Sequence, residues 1–208
     1  MKALLINGSP NERRCTFTAL EQVAKGLEEN GVEAEIRWLG REAVRPCLGC
    51  GACGETQRCV FGDEDGVNDL IDSIAAADAL VIGSPVYYAG INGSLKAALD
   101  RAFFAAGSRF AFKPGGTVVS ARRAGTTAAL EQLNKYFTIS QMPIVGSLYW
   151  PMVHGTSADE VLQDAEGVLV AYQLGANTAW LLKCIAAGRE AGFEPTQPEQ
   201  RARTNFIR

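Results

Sequence analysis

Histidine occurs once in the 208 residues, as His154, and no Ser-His-Asp or paired-carboxylate arrangement accompanies it. Catalysis by the chain's own acid, base and nucleophile triads therefore has little to draw on. No basic run exceeds two residues and the net charge is −3, which argues against a nucleic-acid partner. No apolar run approaches the roughly 18–20 residues a membrane span needs. The opening "MKALLING" is too short in its apolar part for a signal-peptide core, so the expectation is a cytoplasmic protein with no membrane attachment. In that compartment thiols stay reduced, which disfavours a disulfide framework. Internal repeats, low-complexity tracts and Pro/Gly-rich linkers are also missing, and 208 residues suit one domain with one large core.

Against these absences stands an alternation of strand and helix. "KALLI" (2–6) ends at Gly8-Ser9-Pro10 and suits a strand buried on both faces. Residues 16–30 carry Phe17, Leu20, Val23, Ala24 and Leu27 at helical spacing, with Gly31 where a C-terminal cap belongs. "EAEIRWL" (33–39) alternates as an edge strand does, and "ALVIG" (79–83) reads as the central strand. Helices are predicted at 67–77, 94–106 and 126–137, with strands at 116–121 and, as the fifth, at "MPIVG" (142–146). A last long helix is predicted over about 158–187, bending near Gly175. Its apolar residues, Leu169 and Trp180 among them, exceed what one sheet face covers and point to a self-complementary oligomer, a homodimer or homotetramer. The pattern predicts an α/β fold: a doubly wound, five-stranded parallel sheet with helices on both faces. The domain would span 1–187, with a cysteine-rich insertion at 45–62 and an extended arm over 188–208.

Ligands of such sheets bind beyond the carboxyl ends of the strands, where the winding switches. That rule selects three loops. "NGSPNERRCTFT" offers Ser9, Asn11 and Thr16 and then a helix start, whose N–H groups and dipole favour an anion such as a phosphate. It is neither a P-loop nor a G-x-G-x-x-G fingerprint, and from this loop alone an ordinary capped turn reads equally well. "GSPVYYAGINGSLKAALDR" stiffens at Pro85, continues through Val86 and sets Tyr87 and Tyr88 beside Gly90, which suits contact with a planar ring; packing in a core or interface is the commoner fate of such tyrosines. "SARRAGTT" brings Arg122, Arg123 and Gly125 to the same edge, either as a solvated face or to meet anionic groups. A phosphorylatable receiver module shares the strand–helix order but needs acidic residues after strand one, where Asn7-Gly8-Ser9-Pro10 supplies none.

The stretch "CLGCGACGETQRC" (47–59) holds four of the six cysteines, Cys47, Cys50, Cys53 and Cys59. C-x2-C-x2-C can wrap one corner of a cubane, with Gly49, Gly51 and Gly54 allowing the curvature. Zinc, whose ligands usually come as two separated pairs, and bare or redox-active thiols remain open at this point. Cys184 reads as core packing in an apolar helix, and Asp100-Arg101 as a surface ion pair or subunit contact. His154, in the aromatic "GSLYWPMVHG", is the candidate for contacting substrate or moving a proton, although a lone histidine is more often structural.

Together "LLINGSPNERRCTFTAL" and "ADALVIGSPVYYAGINGSLKAALDR" resemble the NADPH-dependent FMN reductase family of flavodoxin-like proteins, and the cysteine stretch resembles its iron–sulfur flavoprotein branch. The resemblance implies a flavodoxin-like fold and a bound FMN. Ser9, Asn11, Cys15 (through its backbone) and Thr16 would surround the phosphate. Pro85, Val86, Tyr87 and Tyr88 would line the isoalloxazine, with Arg122 and Gly125 along its other border. It further implies a 4Fe–4S cluster on Cys47, Cys50, Cys53 and Cys59, NAD(P)H as co-substrate, and a quinone, flavin, nitro or azo compound or protein as acceptor. Such reductases commonly pair so that a neighbour helps enclose the flavin. An FMN and iron–sulfur electron carrier that does not itself oxidise NAD(P)H is the alternative. One departure is local: the family often has Gly-Asn before the phosphate-binding Thr, where this chain has Arg14-Cys15.

Overall fold

A computed structural model describes residues 1–197 and residue 204. Three strands are apolar along their length and buried on both faces: β1 (Lys2–Asn7), β3 (Ala79–Pro85) and β4 (Gly115–Ala121). β2 (Glu33–Trp38) alternates polar and apolar residues and lies at one edge; β5 (Met152–His154) lies at the other. All neighbours are parallel in the order β2-β1-β3-β4-β5, the flavodoxin-like winding with its switch point between β1 and β3.

Because successive strand residues face opposite ways, the sheet builds two cores. Leu4, Ile6, Leu80 and Ile82 pack with α3 (Val67–Ala76), α4 (Gly93–Ala106) and α5 (Thr126–Ile139). Ala3, Leu5 and Val81 face α1 (Cys15–Glu28), α6 (Ala158–Gln163) and α7 (Ala165–Glu190). Gly31 does end α1: its φ is +76° and its N–H donates to Glu28 O at 2.9 Å. A short helix, α2 (Cys53–Thr56), lies inside the cysteine segment.

Five expectations change. The fifth strand is Met152–His154 and not 142–146. Residues 143–145 do touch the sheet, through Gly115 N–H to Pro143 O and Val145 N–H to Gly115 O, each at 2.8 Å. Residues 146–151 then swing out before the chain returns to pair with the far end of β4, Val119 N–H meeting Pro151 O at 3.1 Å. Both contact points carry a proline, which has no N–H to extend a ladder.

The predicted last helix is two. Asp164 separates α6 from α7, its carboxylate accepting from Gly167 N–H at 3.0 Å as the cap of the second. Gly175 is a point of close approach rather than a bend, since a Cβ there would lie 2.0 Å from Val23 O of α1. Gly26 of α1 meets Tyr172 O in the same way at 2.1 Å.

Cys184 is exposed and not core, on the outer side of α7 with Trp180. α7 is also long and apolar enough, by length and composition, to cross a membrane, a run the sequence pattern did not single out. Its polar residues find partners in the protein, Asn177 Nδ2 donating to Gly146 O and Thr178 Oγ1 to Leu174 O. α7 runs to Glu190, so the first three residues of the arm expected from 188 are helical, and residues 198–203 and 205–208 of that stretch lie outside the described residues. The fifth change concerns Arg101, which is buried and is described with the cysteines below.

Candidate flavin cleft and cysteine cavity

The first loop is shaped by a buried asparagine. Asn7 accepts from Ser9 N–H at 3.1 Å and donates to Glu12 O at 2.8 Å, folding residues 8–12 back over the end of β1. Ser9 Oγ accepts from Asn11 N–H, and Trp38 of β2 ties down the Ser9 carbonyl at 2.8 Å. The loop delivers the chain to α1, whose first residue is Cys15. Arg14 precedes it in extended conformation and supplies no side-chain cap, and the first turn holds no acidic residue. The first N–H groups of α1 are thus left for an external acceptor, and the dipole makes that acceptor an anion.

The second loop forms a tight turn. Tyr87 and Gly90 exchange both backbone hydrogen bonds at 2.9 Å, with Tyr88 at φ +50° and Ala89 at φ +59°. Two non-glycine residues in the left-handed region store strain of a kind that gathers at functional sites. The surroundings hold the turn in place. Val86 N–H donates to Ser120 O, Ile91 N–H donates to Gln132 Oε1, and Gly125 at φ +91° would bring a Cβ to 2.7 Å from Ala89 Cα. Tyr88 stands fully exposed at the tip.

These loops meet in one open cleft of about 200 Å³ at the switch point of the sheet. Ser9, Asn11, Cys15 and Thr16 line it from the first loop; Pro85, Val86 and Tyr87 from the second; and Arg122 from the third. Tyr88 and Gly125, expected beside the ring, do not line it: Tyr88 points to solvent and Gly125 packs against Ala89 and Val86. Arg14, Ser120, Ala121, Gly155 and Thr156 also line it, although the sequence reading did not select the last four. Ser120 was hidden because it ends an apolar strand; its hydroxyl is 2.8 Å from that of Thr16 and locks the start of α1 to β4. Burial pushes the Cys15 thiol up from its ordinary value, and its sulfur donates to Gly155 O at 3.6 Å. The uncapped helix start and the flanking Arg14 and Arg122 are the donor set a phosphate needs, and Tyr87 supplies aromatic surface within reach of a ring. An FMN fits this set of groups.

His154 is one residue from the cleft but its ring does not line it. Nε2 lies 3.2 Å from Arg123 O and Nδ1 lies 3.5 Å from Asp164 Oδ2, so the imidazole bridges the third loop to the cap of α7.

The four clustered cysteines line a second, smaller cavity against α4, walled also by Leu48, Val60, Phe61 and Phe104. Cys47 and Cys50 are exposed, whereas Cys53 and Cys59 are partly buried. Burial pushes the Cys53 thiol up from its ordinary value, and Cys50, Cys59 and Cys47 add to the effect. Among the described residues no three His, Cys, Asp or Glu side chains converge on one point, as a single zinc ion would require. Four thiols around one space, walled otherwise by apolar side chains and Arg101, are the ligand set a cubane would take, one thiolate to each corner.

Cys59 is the most firmly held of the four. Asn68 clasps its backbone on both sides, accepting from its N–H and donating to its carbonyl at 2.9 Å each. Arg101, expected at the surface, is instead 2% exposed: Nε donates to Cys59 Sγ at 3.2 Å and Nη1 pairs with Asp65. Asp100, its neighbour, does lie at the surface and pairs with Lys96. Arg101 escaped the sequence reading because "LDR" in an amphipathic helix looks the same whether or not its arginine turns inward.

The chain is similar to known proteins in sequence and in fold. An iron–sulfur flavoprotein of Methanocaldococcus jannaschii is 29% identical over 194 residues, covering 89% of this chain and 99% of its own. One from Archaeoglobus fulgidus is 38% identical over 104 residues, 49% of this chain and 48% of its own. Among solved structures, a WrbA-like flavodoxin from Agrobacterium tumefaciens aligns with TM-score 0.62 at 17% identity, over 88% of this chain and 97% of its own. RosB with a bound 8-demethyl-8-formylriboflavin-5'-phosphate intermediate aligns with TM-score 0.65 at 16% identity, over 100% and 94%. At those identities the structures speak for the fold alone. The sequence profile of the NADPH-dependent FMN reductases matches residues 1–157, and the chain belongs to that family.

Proposed function

We propose that the protein is an FMN-dependent oxidoreductase that takes electrons from NAD(P)H and passes them to a quinone, flavin, nitro or azo compound or protein acceptor, with a 4Fe–4S cluster on Cys47, Cys50, Cys53 and Cys59. One observation carries the reading: loops from three separate strand ends, each suited to part of a flavin nucleotide, line a single cleft at the switch point. Bound there, FMN supplies hydride acceptance from a nicotinamide and onward electron delivery, while a cluster supplies one-electron exchange.

The chain's own residues bind and orient. The first N–H groups of α1, including the Cys15 backbone, hold the phosphate, with Ser9, Asn11 and Thr16 completing the hydrogen bonds. Arg14 and Arg122 add positive charge at the rim. Pro85, Val86 and Tyr87 form one wall for the ring; the strained Tyr88–Ala89 turn and the loop before Gly125 close its border. His154 anchors the third loop and is the imidazole nearest the cleft, hence the candidate for holding a proton beside a bound acceptor. Exposed Leu169 and Trp180 of α7 motivate a homodimer or homotetramer.

The relatives' description as iron–sulfur flavoproteins favours a second reading, an electron carrier that does not oxidise NAD(P)H directly. The visible spectrum of anaerobically purified protein, iron and sulfide content, and anaerobic mixing with NADPH or NADH separate the two. Rapid bleaching of the flavin is expected; a bound flavin that neither nucleotide bleaches supports the carrier. Colourless protein that takes up no added FMN overturns both. In the same mixing experiment, a His154→Ala variant that keeps its flavin and turns over at the parental rate removes the proton role.

A further inference from the structure

Among the described residues, the buried guanidinium of Arg101 is the one charged side chain besides the thiols walling the cysteine cavity. Nε is spent on Cys59 Sγ at 3.2 Å, and Nη1 on Asp65 and on Arg45 O at 3.2 Å. Nη2 has no partner, nor has Asp65 Oδ1, and these are the two buried side-chain polar atoms left unsatisfied among the described residues. An idle buried donor costs about 1–3 kcal/mol, more when it belongs to an ion. Both idle atoms belong to the same ion pair, whose arginine walls the space the four thiols line. An arginine kept only to pin the loop would need no spare donor there.

Charge beside a redox centre is not neutral in its effect. Reduction adds an electron, so a buried cation, and a hydrogen bond donated to a ligand sulfur, both stabilise the reduced form and raise the potential. A buried carboxylate does the reverse. We propose, resting on the cluster reading above, that Arg101 sets the reduction potential of a cluster held by Cys59 and its three companions, donating to the Cys59 sulfur and keeping Nη2 available at the cavity wall, with Asp65 as its counterweight. Arg101 is thus a positioning residue: it acts through a ligand, and its signature is a potential.

The test uses the intact protein, purified anaerobically, as parent, Arg101→Gln, Arg101→Lys and Asp65→Asn. Iron and acid-labile sulfide give the cluster content, and a redox titration followed by electron paramagnetic resonance gives the potential. At the parental midpoint, Arg101→Gln should lower the ratio of reduced to oxidised cluster about tenfold, which is about 59 mV for a one-electron couple. Asp65→Asn should shift the ratio the opposite way, and Arg101→Lys should fall between the parent and Arg101→Gln. Shifts of the same sign in Arg101→Gln and Asp65→Asn would report a loosened loop and overturn the proposal, as would an unchanged potential in both arginine variants. Loss of iron from all three variants with unchanged circular dichroism makes the pair a fold anchor only and also overturns it. If the parent itself lacks iron and sulfide, the cluster reading fails first and takes the proposal with it; that outcome is visible before any variant is measured.

Discussion

Gly125 occupies a backbone position that side chains resist, φ +91°, with Ala89 Cα where its Cβ would stand. The left-handed conformation alone costs a residue with a Cβ about 1–2 kcal/mol, and the overlap must be relieved by moving the Tyr88–Ala89 turn. Gly125→Ala should therefore lower stability by at least that amount in denaturant melts and weaken FMN uptake in a fluorescence titration. Parental affinity in this variant would detach the turn from the ring. The same residue shows how much of the site was legible from letters. Ser9, Asn11, Thr16 and Pro85 could be selected because they stand at strand ends in two loops that together resemble those of a flavin-binding family, although each residue type is also at home in an ordinary turn. Ser120 and Gly155 could not, since a serine ending an apolar strand and a glycine after a short one carry no signal until the loops are brought together. Arg101 was misplaced for a related reason: what turns it inward is Asp65, which lies 36 residues away in the chain and next to it only in space.

At the scale of elements, the crossing of α1 and α7 depends on two glycines, Gly26 and Gly175, each within about 2 Å of the opposing carbonyl by its absent Cβ. Even Gly175→Ala forces the helices apart, and the expected loss is about 2–3 kcal/mol, the upper part of the range for overpacking. Thermal or urea melts check it, and a loss within error would mean the helices slide without penalty. Helical and strand periodicity located α1, α3, α4 and α5 within one or two residues, because each has one clear apolar face. It failed where the chain makes compromises. "MPIVG" has the composition of a strand yet pairs for only one bridge, and the residues that complete the sheet, Met152–His154, are too few to show a period. α7 is apolar around much of its circumference, which conceals the face it buries, so Cys184 was assigned to the core.

Across the whole molecule, the two candidate redox centres are built from different material. The flavin cleft draws on strand ends and the start of α1, while the cysteine cavity leans on α4 and the core beneath it, and the two have no lining residue in common. Replacing Cys50 and Cys53 by Ser should therefore abolish iron and sulfide but leave one flavin per chain, as read from absorbance and a colorimetric iron assay. Parallel loss of flavin would show that the cysteine segment braces the cleft as well. One further feature acts on this scale. The excursion over 146–151, carrying Leu148 and the edge-to-face pair Tyr149 and Trp150, is fastened to β4 at both ends by main-chain atoms and to α7 through Ser147 Oγ, which donates to Val170 O, and Asn177 Nδ2, which donates to Gly146 O. Such a tongue demands a hydroxyl at Ser147 and asks little of the tip beyond it, where Leu148, Tyr149 and Trp150 stand exposed. Replacing those three side chains would change what the molecule presents at that margin, while the sheet from which the tongue hangs stays as it is.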